Sequence, residues 1–371
     1  MATTIRDVAR AAGVSASTVS RALSNPEMVS DSTRELVQRT AQRLGYRPNP
    51  AARRLITGRT QNIGIVLPDL GNPVFPSIVK GIQSRARENG YCVLLSDSDE
   101  DPSGEPALVR TLASQVDGVV LCSPRMSTED LRSMAGLLPL VVVQRTVDHI
   151  PAVVFDNADG IQQAVSHLHA LGHRRIAWGG GPERSYSQER RTRALREATA
   201  QLGMELLEVG HFAPRFSSGL MVADLVLSGE ATGVIAYNDL MALGVLHRLH
   251  ARGVAVPGEI SVIGHDDIPF AGMVHPALTT VALSTERAGR AAVDLLVSLL
   301  ESPDQTPGLH RTLPCELQIR ASTGLCRCGP GPLHETGAPH ETTGAIRRTT
   351  GAIRRTTEAI HRTTDADPAP A

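Results

Sequence analysis

TIRDVARAAGVSASTVSRAL, residues 4–23, carries two short helical stripes separated by a glycine. Ile5, Val8, Ala9 and Ala12 recur at i, i+3, i+4 and i+7, one face of a helix, and Gly13 supplies a stop that tolerates positive φ. Ser15 is suited to cap the next helix; Val19, Ala22 and Leu23 give that helix an inward face, and Asn25 with Pro26 breaks it. A third helix is expected from about Asp31 to Leu44, with Leu36, Val37, Ala41 and Leu44 inward and Gly45 as its stop. Three such helices match a helix-turn-helix DNA reader, a pattern shared with other small helical bundles. The outer face of the second helix separates the two, because Ala16, Ser17, Ser20 and Arg21 point away from the apolar stripe. Arg21 has the planar fork that donates twice to guanine O6 and N7, worth about 1–3 kcal/mol of base discrimination. Thr18 and Ser20 are short hydroxyls suited to phosphate oxygens, which set register without reading sequence.

Charge supports a polyanionic partner for this head. Residues 1–60 hold ten arginines against four acidic residues, a net of +6 that leaves −7 for the rest of a 371-residue chain totalling −1. The segment Tyr46-Arg47-Pro48-Asn49-Pro50-Ala51-Ala52-Arg53-Arg54-Leu55-Ile56-Thr57-Gly58 then spells a helix of about two turns: Asn49 as N-cap, Pro50 at N1, Gly58 as stop. Isolated helices below about 12 residues are marginal in water, so this one forms only when something packs against it or neutralises it. Arg53 and Arg54 can meet phosphates, and Leu55 offers an apolar wedge for a base step from the minor groove. A plain basic linker is the alternative.

From Asn62 the texture changes to short continuous apolar runs between helical segments, the mark of parallel strands buried on both faces. Candidate strands are Ile63–Leu67, Cys92–Leu95, Gly118–Cys122, Leu140–Val143, Val153–Phe155, Arg175–Trp178, Val234–Tyr237 and Ser261–Ile263, implying an α/β body of doubly wound parallel sheets. Open α/β sheets bind ligands beyond the carboxyl ends of their strands, so the polar residues there are the candidates. Asp69 and Asn72 follow the first run, Ser123 the third, Arg145 the fourth, Asp156 the fifth, Asn238 and Asp239 the next-to-last, and Asp266 the last. Any one of these is as well suited to capping a helix. Together they suit a small polyhydroxylated or heterocyclic ligand, with Phe75, Trp178 or Phe212 to stack on its apolar face.

Residues 4–23 followed by GYRPNPAARRL (45–55) resemble the DNA-binding head and hinge helix of the LacI (lactose-repressor) family of bacterial transcription regulators, and the resemblance runs to about Gly324. It is carried in the body by DLGNPVF (69–75), VFDNADG (154–160), YNDLMALG (237–244) and GHDDIPFAGMVHPALTTV (264–281). The resemblance implies a head over 1–47, a hinge helix and linker over 48–60, and a core over 61–324. The core is similar to periplasmic sugar-binding proteins: two subdomains with chain crossovers near Asp156, Leu283 and Pro314. It also implies that Ala16, Ser17 and Arg21 read bases and that Leu55 intercalates at the operator centre. Further DNA contacts then come from Thr4, Ser15, Thr18, Ser20, Asn49, Ala52, Arg53 and Arg54. Asn72, Phe75, Asp156, Asn238, Asp239 and Asp266 would line or border the effector pocket, joined by Asp69, Ser123, Arg145 and Phe212. Arg191, followed by Ala194 and Leu195, takes a position where the family often has Arg before a Gly-aromatic pair, with Arg190 as competitor. Gln144 stands where an acidic residue is frequent. The implied function is a repressor controlled by a small-molecule effector, a sugar or related metabolite in the family's usage, acting as a homodimer on a palindromic operator of double-stranded DNA.

Hydrophobic residues make up 41% and aromatics 3%, an ordinary soluble profile that excludes bulk disorder. No apolar stretch is long enough to span a membrane and no signal peptide opens the chain, so a cytoplasmic location is expected. The five cysteines are expected to be reduced, with Cys92 and Cys122 as small buried hydrophobes, and the spacing of the cysteines writes no metal site. No cofactor is implied. A solute receptor would have a signal peptide and no helix-turn-helix; an enzyme would show a GxSxG elbow, a Walker loop or HExxH, and GGGP (179–182) lacks the context of a phosphate loop. After Gly324 come residues 325–371, where TTGAIRR (342–348) recurs at 349–355 and, as TTEAIHR, at 356–362. Gly and Thr-Thr in the repeats argue against a coiled coil, and a low-complexity disordered tail is expected, with Arg347, Arg348, Arg354 and Arg355 as weak nucleic-acid contacts at most.

Overall fold

The computed structural model describes residues 3–24, 26–46, 59–302 and 309–326. Asn49, Ala52, Arg53, Arg54 and Leu55 of the expected hinge helix, and the repeat segment, lie outside the described residues. The chain divides into two compact units, Met1–Gln61 and Asn62–Ala371.

In the first unit α1 (Ile5–Ala12), α2 (Ala16–Ser24) and α3 (Asp31–Arg43) pack around Val8, Ala9, Ala12, Val19, Ala22, Val37 and Ala41. Gly13 takes φ 67° and Val14 N–H reaches back to Ala9 O, a glycine-terminated helix end that lets α2 start at Ala16, three residues after the glycine. Ser15 Oγ accepts from Thr18 N–H at 3.0 Å, and Ser30 Oγ accepts from Thr33 N–H at 3.4 Å. Leu36 corrects the expected inward face: it is 41% exposed, and Thr40 is buried in its stead. The stripe of α3 is phased on Val37, Thr40 and Ala41, and Leu36 sits one residue, about 100°, outside it.

The second unit has two six-stranded sheets. The first takes β1 (Asn62–Leu67), β2 (Cys92–Asp97), β3 (Gly118–Cys122), β4 (Leu140–Val143), β5 (Ala152–Phe155) and β11 (His310–Leu313), in the order β11-β5-β4-β3-β1-β2, all parallel. The second takes β6 (Arg175–Gly180), β7 (Glu205–His211), β8 (Gly233–Ala236), β9 (Ser261–Asp266), β10 (Thr279–Leu283) and β12 (Cys315–Gln318), in the order β12-β10-β9-β8-β6-β7, with only β12 antiparallel. Helices α4 (Val74–Glu88), α5 (Glu105–Ala113), α6 (Thr128–Leu137) and α11 (Thr285–Glu301) cover the first sheet. The second is covered by α7 (Asn157–Ala170), α8 (Tyr186–Gln201), α9 (Phe216–Leu227) and α10 (Asp239–Ala251). Leaving β5 at Asp156, β10 at Ser284 and β11 at Pro314, the chain passes from one lobe to the other three times.

Strands β7, β10, β11 and β12 carry no continuous apolar run and were not among the expected ones. β9 also runs on to Asp266, so that residue ends the strand and does not follow it, while β8 stops at Ala236 and leaves Tyr237 beyond its end. Cys92 is exposed, against expectation, because β2 is an edge strand; Cys122 is buried and burial pushes its thiol up to about 12. Helix pairs meet through glycine: a Cβ on Gly81 of α4 would overlap Glu286 O of α11, and one on Gly219 of α9 would overlap Met241 O of α10.

Candidate functional site

Between the lobes lies a cavity of about 300 Å³, counting the part open to solvent. The first lobe lines it with Asn72, Val74, Phe75, Glu100, Ser123, Arg125 and Gln144, and the second with Arg191, Pro214, Tyr237 and Asp266. The parallel strands of both lobes aim their carboxyl ends here, which gathers loop polar groups at one place. Four of these non-glycine residues hold left-handed φ: Glu100 at 58°, Ser123 at 48°, Gln144 at 66° and Asp266 at 118°. Such backbone costs about 1–3 kcal/mol per residue and persists where the surroundings over-determine it, characteristically at binding sites.

The first-lobe wall is built around Arg125. Its Nε and Nη2 donate to the two Glu100 carboxylate oxygens at 2.9 and 3.1 Å, and Nη1 donates to Ser123 O at 3.0 Å and Ser123 Oγ at 2.8 Å. Glu105, 1% exposed, braces the loop by accepting Arg125 N–H at 2.9 Å and Met126 N–H at 2.7 Å; burial outweighs these bonds and raises its pKa. Arg145 grips the same loop from the other side, donating to Pro124 O at 3.2 Å and Met126 O at 2.6 Å. On the second lobe Arg191 Nε donates to Asn157 Oδ1 at 2.9 Å and Nη1 to Tyr237 O at 2.5 Å, while Nη2 lies 3.6 Å from Asp266 Oδ1. The guanidinium also sits 4.9 Å from the Tyr237 ring centroid.

Of the residues expected at an effector pocket, the structure brings Asn72, Phe75, Ser123, Arg191 and Asp266 to the cavity wall. The remaining six stand elsewhere. Asp69 Oδ1 accepts Gly71 N–H in the turn after β1, Asp156 Oδ1 accepts Asp159 N–H as the cap of α7, and Asn238 Oδ1 accepts Met241 N–H as the cap of α10. Asp239 is wholly buried, accepting from Thr280 Oγ1 at 2.5 Å and Ile268 N–H at 2.8 Å. Arg145 clamps the loop just described, and Phe212 packs half-buried beyond β7. Trp178 is 1% exposed with Nε1 donating to Thr192 Oγ1, a core residue and no stacking platform. Arg190 is exposed over the Tyr186 ring, so Arg191 is the one of the pair that faces inward. Among the residues missed, Gln144 and Tyr237 directly follow β4 and β8, a signal that was present; Glu100 and Arg125 lie deeper in loops and have none. The GGGP loop is tied to the protein, Gly181 N–H donating to Gln188 Oε1 at 2.6 Å.

In the head, Ala16, Ser17 and Arg21 are exposed on α2, and Thr18 and Ser20 are half-buried. Ser15 Oγ lies 2.8 Å from both Ser17 Oγ and Thr18 Oγ1, a hydroxyl cluster at the start of α2. Thr4 is exposed, its N–H and hydroxyl donating to Asp7 Oδ2.

Residues 4–49 match the profile of bacterial regulatory proteins of the lacI family, and residues 165–323 that of a periplasmic binding protein-like domain. The HTH-type transcriptional repressor CytR of Escherichia coli (strain K12) is 33% identical over 335 residues, 87% of this chain and 96% of that protein. The chain belongs to the LacI family. The Ribose operon repressor of Bacillus subtilis (strain 168) is likewise 33% identical, over 80% of this chain and 92% of that protein. A crystal structure of the lac repressor dimer bound to operator and the anti-inducer ONPF superposes with a TM-score of 0.79 at 28% identity, covering 87% of this chain and all of that one. A CelR–cellobiose complex gives 0.64 at 31% identity, over 86% of this chain and 99% of that one. As a LacI-family member the chain is a DNA-binding transcriptional repressor with an effector-binding core, and it forms dimers. Its relatives are regulators and not enzymes. Among the described residues no helix is long and apolar enough to cross a membrane.

Proposed function

We propose that the inter-lobe cavity binds a neutral, polyhydroxylated small molecule, a sugar or nucleoside-like compound, and that its occupancy sets operator affinity. One observation carries this: each guanidinium on the cavity wall already faces a carboxylate, Arg125 with Glu100 and Arg191 with Asp266. The wall therefore offers hydrogen-bonding groups whose guanidinium charges each face a carboxyl group, Glu100 bidentate on Arg125, beside the apolar faces of Phe75, Pro214 and Tyr237. A phosphate ester would bring two negative charges to a site whose cations are spoken for, with a desolvation penalty nothing there offsets. Relatives solved with cellobiose or ribose bound support the ligand class. The contacts would come from Asn72, Phe75, Ser123, Arg191 and Asp266 together with Gln144 and Tyr237. Calorimetric titration of the full chain with D-ribose, cellobiose, nucleosides and their phosphate esters tests the assignment. At least one neutral compound should bind, and its ester should bind ten-fold or more weakly; a tighter ester, or no binding across the panel, overturns it.

For the head we infer a unit over 1–47 that reads a palindromic operator, with Ala16, Ser17 and Arg21 facing base edges and Thr4, Ser15, Thr18 and Ser20 near phosphates. A hinge over 48–60 would add Asn49, Ala52, Arg53, Arg54 and Leu55, the core would span 61–324 and a tail 325–371. The buried carboxylates of the core serve as caps and hydrogen-bond acceptors, so binding without turnover is the proposed chemistry, in the cytoplasm where the DNA is. Selection of bound duplexes from random DNA, followed by Arg21→Ala, checks the head: specificity at one base pair should relax by about 1–3 kcal/mol, and an unchanged preferred sequence rules Arg21 out as a reader.

A further inference from the structure

We propose that His265 is a positioning residue of the effector site, orienting the Asp266 carboxylate so that one oxygen is held by the protein and the other is left to the ligand. This rests on the effector cavity being where Asp266 acts.

His265 and Asp266 are consecutive at the end of β9, 1% and 7% exposed. His265 Nδ1 lies 3.3 Å from Asp266 Oδ1, the same oxygen that Arg191 Nη2 approaches to 3.6 Å. Both donors thus converge on Oδ1, while among the described residues no hydrogen bond to Oδ2 accompanies them, and Asp266 lines the cavity. The other ring nitrogen is the second observation. His265 Nε2 is buried with no hydrogen-bond partner, the one such side-chain atom among the described residues. A neutral imidazole with its proton on Nδ1 gives the bond to Asp266 and leaves only a lone pair stranded on Nε2; the opposite tautomer would strand an N–H and repel the carboxylate. Burial and the neighbouring Arg191 both hold the ring's pKa well below the usual histidine range, so it stays neutral. An apolar side chain would avoid the orphaned nitrogen altogether, which costs about 1–3 kcal/mol in a buried site. Its presence beside a cavity-lining carboxylate is the kind of local cost found where function sets the residue.

Asp266 is placed to respond to this donor. Burial pushes it up to about 7, against the lowering effect of Arg191 from α8. Asp239 from α10 and Cys315 from β12 share the field around it, and Glu100 with Arg125 faces it across the cavity. A donor on Oδ1 favours the anion, so removing it raises the pKa further.

The experiment needs no effector. The full chain, labelled with 13C at aspartate carboxyl carbons, is titrated by NMR, the Asp266 signal being the one lost in Asp266→Asn. His265→Phe keeps the volume and removes the donor; His265→Asn keeps a donor where Nδ1 stands. The Asp266 midpoint should rise by one pH unit or more in His265→Phe and return to within a few tenths of the wild-type value in His265→Asn, while His265→Phe melts no lower than wild type. Coincident titrations of wild type and His265→Phe overturn the proposal, and so does a melting change without a titration change, the outcome a purely structural histidine gives. If His265→Phe fails to fold, the orphaned nitrogen was not a net cost and the proposal falls with it. Failure of every neutral compound to bind would remove the effector assignment and leave these titrations unaffected.

Discussion

Asp239 is a carboxylate with no access to solvent, and its surroundings make a pH statement. Burial, then the charge of Asp266, pushes it from its ordinary 3.8 up to about 7, against the opposing bonds from Thr280 and Ile268. The folded state therefore holds a proton that the unfolded chain has released, so stability falls as pH rises from about 4 to about 7 and is flat above. In Asp239→Asn the amide oxygen still accepts Ile268 N–H and the amide nitrogen donates to the Thr280 hydroxyl. Urea midpoints of the variant between pH 5 and pH 8 should fall less than those of wild type, by one proton's share of the slope. An identical slope in both proteins rules out Asp239 as the source. Asp239 also shows why only part of the site was legible. A polar residue after an apolar run either faces the cleft or caps the next helix, and both demand the same residue types. Asp266, Ser123 and Asn72 took the first course, whereas Asp156 and Asn238 took the second. Arg125 escaped because its place depends on Glu105 and Arg145 holding a loop from two sides, which is long-range information.

The first turn of α8 ties the lobes together at the rim of the cavity. Thr146 Oγ1 and Tyr186 OH are 2.8 Å apart across it, Ser187 Oγ donates to Gln144 Oε1 at 3.4 Å, and Arg125 Nη1 reaches Ser185 Oγ at 3.5 Å. The Thr146–Tyr186 bond is the short one and involves no cavity-lining residue. Tyr186→Phe removes a hydroxyl at constant shape, worth about 0.5–1.5 kcal/mol, and shifts the opening equilibrium by about 2–13-fold. Hydrogen exchange of the ligand-free protein should quicken by that factor at residues 144–147 and 185–188 while the strand cores are unchanged. Equal protection in both proteins shows that the bond does not hold the lobes. At this scale the sequence was most readable where burial on both faces demanded unbroken apolar runs, as in β3 and β4. β7, β11 and β12 lie at sheet edges, half-wet and carrying charge, and β10 opens on Thr279 and Thr280, so none shows the expected run.

For the whole molecule, the core begins with β1 at Asn62, directly after the linker, while the cavity lies at the strand's far end; six residues of strand put about 20 Å between them. An effector contact at that end lies about 20 Å along the strand from Asn62, so any coupling through β1 requires a change in the lobe as a unit. The three crossings offer a route for one, because any closure of the cleft would carry β5, β10 and β11 together with the segments that leave them. Any such coupling is reciprocal: the factor by which effector changes operator affinity equals the factor by which operator changes effector affinity, typically about 5–150-fold. Salt separates the two binding events. The net +6 of residues 1–60 makes operator binding a counterion-release process, losing about 10³–10⁵ in affinity between 50 and 200 mM salt for 6–10 phosphate contacts. The cavity's cations are paired with carboxylates, so effector affinity of the free protein should move by less than about two-fold over the same range. Measured at both salt concentrations, the coupling factor should therefore stay constant while operator affinity collapses. A factor that shrinks in step with operator affinity would show that the effector competes with phosphate contacts at the head and does not act through the cleft.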